Sequence, residues 1–420
     1  MQFSEVIGQA DTKERLMHLV QQNRLSHALL FLGKEGGGGL SIARAMAQFI
    51  VCERVSGGKS KKTTSETTGG ASLFGEPEKT HESGNEPIMP KDAPITDSCG
   101  ICAACKKASK LIHPDIHFSY PVIPKKSGDK PISADFINEW REFVVQQPYG
   151  NNYDWLQFIK AENKQGNITA YECKDISRKM SLKSFEAGYK ILIMWMPEML
   201  GKEGNKLLKL IEEPPPDTLF ILVAENESLI LPTILSRTQL IKIPLLNEKS
   251  IEHALTFNEG VPKKKAAQIA SISHGNYHEA LLQVAHAEDE WDVLLRDWLN
   301  SILRTGPVAQ VKWIDDISKI GREKQKQFLI NFIHILEIAI RLSIIGKVAD
   351  DEEDQELDNL SEFALKINKI CNVAQQEAIV NELDLAVYYI ERNANPKLLF
   401  HALSIKLYHI ISNKSVILMQ

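Results

Sequence analysis

Two stretches carry residue types whose spacing could do chemistry. The first, Gly33-Lys-Glu-Gly36-Gly-Gly38-Gly39-Leu40, has the outline of a phosphate-binding loop, G-x-x-x-x-G-K-[ST], with Gly33 and Gly38 in the two glycine positions. In such a loop backbone amides cradle phosphates, a lysine reaches the β- and γ-phosphates, and a hydroxyl holds Mg²⁺. Here the lysine position is Gly39 and the hydroxyl position is Leu40, so the outline remains without its charge or metal ligand. The second stretch is Cys99-Gly-Ile-Cys102-Ala-Ala-Cys105, with Cys52 as a fourth thiol after the loop's helix. Four thiolates leave no coordination position open, which predicts a structural zinc site in a reducing cytoplasm. The long separation of Cys52 from Cys99 weakens this little. Relative to a short loop its extra closure entropy is only about 1.4 kcal/mol, against roughly 10 kcal/mol or more for structural zinc binding. No strand precedes the cysteines, as a thioredoxin-like redox motif would need.

The elements that must hold these residues follow from the apolar pattern. An unalternating apolar strand, 28–32, leads into the loop, and a helix, 40–51, leads out of it. Further apolar strands are predicted at 116–122, 190–195, 218–224 and 240–244, alternating with helical segments that include 134–147, 171–183 and 201–212. Parallel neighbours need crossovers, so the fold class is α/β, a parallel sheet with helices on both faces. In a P-loop ATPase the Mg²⁺-binding and water-activating acids stand at the end of the strand equivalent to 190–195. Those places are Trp195 and Met196. Glu198 could be offered as a displaced acid, but two residues of displacement move a carboxylate several ångströms from the metal.

Around these elements the chain divides. Residues 53–98 are polar and aperiodic and are expected to be disordered; their Leu73-Phe74 pair vaguely resembles clamp-docking peptides but lacks the leading glutamine. A second insert, about 125–170, carries a polar loop over 150–166. After 246 come three helices, 248–257, 262–273 and 276–286, and from 288 the chain is all helix, with Trp291, Trp298, Phe328, Phe332, Leu336, Phe400 and Leu403 facing inward. The apolar run 328–345 is broken by Asn331, His334, Glu337 and Arg341, so it reads as a buried amphipathic helix and not a membrane span. The acidic run 350–354 reads as a solvated loop. At 420 residues, 43% apolar and 25% charged, the chain has material for two or three cores. A net charge of -5 argues against binding nucleic acid with the whole surface. The N-terminus lacks the basic-then-apolar order of a signal peptide.

Val6-Ile7-Gly8-Gln9, the glycine loop, the cysteine module, Leu207 to Pro215 and Ser236-Arg237-Thr238 occur in the order seen in bacterial clamp loaders. The chain resembles the AAA+ clamp-loader family of the DNA polymerase III complex. The resemblance implies an AAA+ domain over 1–244, a three-helix lid over 245–287 and a helical collar over 288–420. It implies assembly with gamma/tau and delta subunits into an open five-membered ring that loads a sliding clamp on primer-template DNA. It also implies that Arg237 is a finger presented in trans to a neighbour's ATP, although this chain has Thr238 where the family usually has cysteine. His278 stands where active relatives carry a phosphate-sensing arginine. With Gly39, Leu40, Trp195 and Met196, that leaves no productive ATP site, so the expected role is a non-catalytic subunit. Two alternatives are an altered ATPase using Glu198, and a zinc-dependent nucleic-acid-binding protein using Lys106, Lys107 and Lys110.

Overall fold

The structure, a computed structural model, describes residues 1–57, 96–126, 128–161, 164, 166–285, 291–345, 359–392 and 394–412. Leu73-Phe74, most of the first insert and the acidic run at 350–354 lie outside the described residues. The chain forms two compact units, Met1–Ala280 and Leu281–Gln420.

The first unit is built on five parallel strands: β1 (Ala28–Leu32), β2 (Ile116–Ser119), β3 (Lys190–Trp195), β4 (Thr218–Ala224) and β5 (Gln239–Lys242). Their order is β2-β3-β4-β1-β5, the parallel sheet that the apolar runs predict. Every residue of β3 and β4 is buried, which explains why the central strands show no alternation of polar and apolar residues. Successive side chains nevertheless divide between two cores. Leu29, Phe31, Ile191, Ile193, Leu219 and Ile221 face one, and Leu30, Leu192, Met194, Phe220 and Leu222 face the other.

The helices around the sheet are α1 (Ala10–Gln21), α2 (Gly39–Val51), α3 (Ala103–Ser109), α4 (Ile137–Gln146), α5 (Asn152–Phe158), α6 (Ala170–Ser181), α7 (Leu208–Glu212) and α8 (Pro232–Leu235). Three more follow: α9 (Glu248–Asn258), α10 (Lys263–Ile272) and α11 (Tyr277–Ala285). The structure corrects the sequence reading in places. The segment expected as one helix over 201–212 is a 3₁₀ run, Pro197–Leu207, kinked at Gly201, followed by α7. The loop expected over 150–166 contains α5. Asn151 Oδ1 accepts from Asp154 N at 2.8 Å and Asp154 Oδ2 accepts from Asn151 N at 2.9 Å, a reciprocal cap that can start a helix in polar sequence.

The second unit comprises α12 (Trp291–Asn300), α13 (Pro307–Ile317), α14 (Arg322–Ile345), α15 (Asn359–Asn368), α16 (Val373–Glu391) and α17 (Pro396–Ser412). Its core includes Trp298, Phe328, Phe332, Leu336, Phe400 and Leu403, and Trp298 stacks on Trp313 at 4.9 Å. Phe328, Leu329, Phe332, Ile335, Leu336 and Ala339 bury one helical face of α14, as the interrupted apolar run predicts. Among the described residues no helix is long and apolar enough to cross a membrane.

Candidate functional site

β1 delivers the glycine loop to the carboxyl-terminal edge of the sheet, where α2 begins at Gly39. Gly36 (φ +71°) and Gly38 (φ +86°) reverse the chain in conformations that side chains rarely adopt. The space that these glycines keep open is filled by the protein itself. A Cβ on Gly36 would overlap Asn276 Oδ1 at 1.8 Å, and one on Gly38 would lie 2.9 Å from the Tyr149 ring. Tyr149 Oη accepts from Ile7 N at 2.8 Å, and its ring meets Tyr277 edge-on at 5.0 Å. Gln9 Nε2 donates to Gly37 O at 3.0 Å and to Pro244 O. Leu40 is buried in the core. The neighbouring hydroxyl, Ser41 Oγ, is fully buried and donates to Pro148 O at 2.8 Å.

His278 is drawn into the same place. Its Nε2 lies 2.6 Å from Asp154 Oδ2 and its Nδ1 2.9 Å from Glu35 Oε1. Burial alone would lower its pKa, but the two carboxylates outweigh burial and raise it to about 10. The ring is therefore an imidazolium at neutral pH, and its charge is already answered. Glu35 Oε1 also accepts from Asn151 Nδ2 at 3.1 Å, so α5, α11 and the glycine loop meet around one ion-paired cluster.

At the end of β3, Trp195 and Met196 are buried. Trp195 packs 5.3 Å from Trp140 and 6.2 Å from Phe143, so aromatic rings from α4 cover the strand end where acids would face a metal. Glu198 does not stand in for them. Its Oε1 accepts from Glu225 N at 2.6 Å and Asn226 N at 2.8 Å, and burial pushes its pKa up. Glu198 is a buried cap on the end of β4.

The four thiols do come together. The Sγ atoms of Cys52, Cys99, Cys102 and Cys105 all lie within 4.8 Å of one another, and Cys99 and Cys105 are 3.9 Å apart. A regular tetrahedron of Zn–S bonds spaces its sulfurs about 3.8 Å apart. Backbone amides point at the sulfurs: Cys99 N at Cys52 (3.3 Å), Cys102 N at Cys99 (3.4 Å) and Cys105 N at Cys102 (3.4 Å). Such donors favour thiolates. The hydrogen bond from Cys105 brings the Cys52 thiol down to about 4, whereas burial raises that of Cys102. The donor set fits a soft divalent cation, so the cluster could hold a metal ion. Of the three nearby lysines, Lys107 pairs with Glu186 at 2.5 Å, while Lys106 and Lys110 are exposed.

Arg237 lies elsewhere. It follows α8 and precedes β5, whose Gln239 pairs with Leu29 of β1. Arg237 is therefore at the amino-terminal edge of the sheet, at least ~13 Å of strand rise from Gly33. Its guanidinium is braced: Nε and Nη2 pair with Glu212, and Nη1 donates to Thr233 O at 2.9 Å and Ser236 Oγ at 3.1 Å. The sequence reading named the loop, the cysteines, His278 and Arg237 but missed Tyr149, Asn276, Glu35, Asp154 and Glu212. Only Asn151 and Asp154, at capping-box spacing, left a local signal.

A family model described as "DNA polymerase III, delta subunit" matches residues 8–69 and 85–247, more than half of the chain. The DNA polymerase III subunit delta′ of Bacillus subtilis (strain 168) is 26% identical over 266 residues, covering 63% of this chain and 56% of its own. The DNA polymerase III subunit tau of the same strain is 23% identical over 329 residues, covering 77% of this chain and 44% of its own. The chain thus spans about half the length of the curated relatives it matches. Among solved structures, a DNA polymerase III gamma subunit-related protein from Thermotoga maritima covers 95% of this chain and 99% of its own at 14% identity. Its TM-score of 0.36 is too low for that likeness to carry more.

Proposed function

The chain belongs to the DNA polymerase III delta-subunit family, as a clamp-loader subunit of the delta-prime kind, and from that premise we propose that it is a non-catalytic member of the loader that lends Arg237 to a neighbour's ATP. The observation that carries this reading is the separation of the two edges. The chain's own phosphate loop lies at the carboxyl-terminal edge of the sheet, whereas Arg237 lies at the opposite edge, where it can serve only another subunit. A guanidinium in trans stabilises charge on the transferring γ-phosphoryl group. Glu212 holds that guanidinium in a fixed orientation, and docking would exchange part of this pairing for phosphate oxygens.

Productive ATP binding is not expected of the chain's own loop. It lacks the lysine and the hydroxyl at the positions that reach the phosphates and the metal; Tyr149 and Asn276 occupy the approach, and the buried cation beside it, His278, is neutralised by Glu35 and Asp154. We assign the cysteine cluster to structural zinc, which Cys52, Cys99, Cys102 and Cys105 would hold, tying the end of α2 to α3. The three helices after 245 would serve as the lid and the helices after 288 as the collar. Partners are then gamma/tau and delta subunits and, through the complex, the sliding clamp and primer-template DNA.

The test uses the reconstituted complex. Arg237→Ala is expected to leave assembly intact and to slow hydrolysis at the adjoining site by ~10³-fold or more. Unchanged hydrolysis with the mutant in the ring would refute the finger role.

A further inference from the structure

Beside the edge strand β2 lies a cavity of about 270 Å³ that the function above does not use. Four basic side chains line it, His113, His117, Arg141 and Lys179, between apolar walls that include Leu111 and Ile137, and no carboxylate is among the lining residues. Three of the four have donors to spare. His113 is 3% exposed, and its Nδ1 accepts from Asp115 N at 3.1 Å, which puts the proton on Nε2. That Nε2 is buried and has no partner among the described residues, a state that buried polar groups rarely keep. Arg141 spends Nε on Leu111 O at 3.1 Å, and its two terminal nitrogens have no partner among the described residues. The His117 imidazole makes no hydrogen bond among them either. Lys179 is shared with Asp175 at 2.6 Å.

The cavity therefore gathers N–H donors beside two positive charges, Arg141 and Lys179, with no carboxylate among its lining residues. Burial, followed by the charge of Lys179, lowers the pKa of His117 to about 4; Lys190 acts in the same direction, and Asp115 and Asp175 oppose it. We infer that this cavity is a phosphate-binding site, in which the terminal fork of Arg141 and the Nε2–H of His113 hold the oxyanion and Lys179 balances its charge. A planar guanidinium fork suits a phosphate better than a spherical anion, and the apolar walls leave room for the body of the molecule that carries it. The phosphate could come from a free small ligand or from a nucleic-acid backbone, which present the same oxygens.

The experiment follows the His117 imidazole by NMR in the full chain. Inorganic phosphate, or a short single-stranded oligonucleotide, is added at constant ionic strength against a chloride control. Phosphate is expected to shift the resonance saturably and to raise the His117 pKa, and Arg141→Gln is expected to weaken binding about tenfold or more. Lys179→Gln provides a second variant should the first melt early. Tighter binding of the oligonucleotide than of phosphate assigns the site to a nucleic-acid backbone, and the reverse assigns it to a small ligand. Absence of a saturable shift with both probes, or undiminished binding by both folded variants, overturns the site.

Discussion

At the scale of single residues, His278 is the most informative. Its imidazolium bridges Glu35 and Asp154. The folded pKa of about 10 stands above the ordinary value of 6.5, so the linkage has a definite sign. The stabilisation is complete below the ordinary value and is lost as pH rises through about 10. Near neutral pH the cluster is intact, and α11 is tied to the glycine loop without any nucleotide. NMR titration of the His278 ring should give a pKa well above 6.5; a value near the ordinary one would show that the carboxylates do not hold it. Replacing His278 by alanine leaves two carboxylates facing each other, and should cost about 3 kcal/mol or more. Native-state amide exchange should show the loss as faster exchange at the 36–41 loop and the start of α11.

At the scale of elements, the strands and the loop were legible, because central parallel strands are apolar runs and glycines mark the phosphate turn. The four cysteines were legible too, because metal-binding thiols keep short spacings, and their sulfurs do converge. What fills the loop was not. Glu35, Tyr149, Asp154 and Asn276 come from separate segments, and no local pattern says which side chain reaches which. Trp195, at the end of a buried strand, could not be read from the sequence as the partner of Trp140. The second insert supplies core: Trp140 stacks on Tyr120 at 4.0 Å and meets Trp155 edge-on at 5.3 Å. Trp140→Ala should therefore cost about 3–5 kcal/mol. The Trp140 Nε1 has no hydrogen-bond partner among the described residues, so Trp140→Phe forfeits no bond and should cost less than about 1.5 kcal/mol. Chemical denaturation distinguishes the cases. Equal, small losses for both variants would mean that the insert is not part of the core of the first unit.

At the scale of the whole molecule, the placement of chemistry argues for a particular seat in an assembly. In a head-to-tail ring each interface joins unlike surfaces, one subunit's finger edge against the next subunit's phosphate loop. A chain with an arginine at one edge and a filled loop at the other can complete its neighbour's site but gains nothing from a finger given to its own. One such chain suffices, and its loop can face the gap of an open ring without loss of an active site. Two copies side by side would place a finger against a loop with glycine, Gly39, at the phosphate-contacting lysine position, so selection for hydrolysis would favour a single copy. We therefore expect that the chain, mixed with gamma/tau and delta subunits from its own source, enters the complex in one copy, as native mass spectrometry would show. Zinc should accompany it at one ion per chain, because four thiols serve one ion. A chain that remains apart in that mixture, or enters in several adjacent copies, would contradict both the seat and the reading of Arg237 as a finger that works only for another subunit.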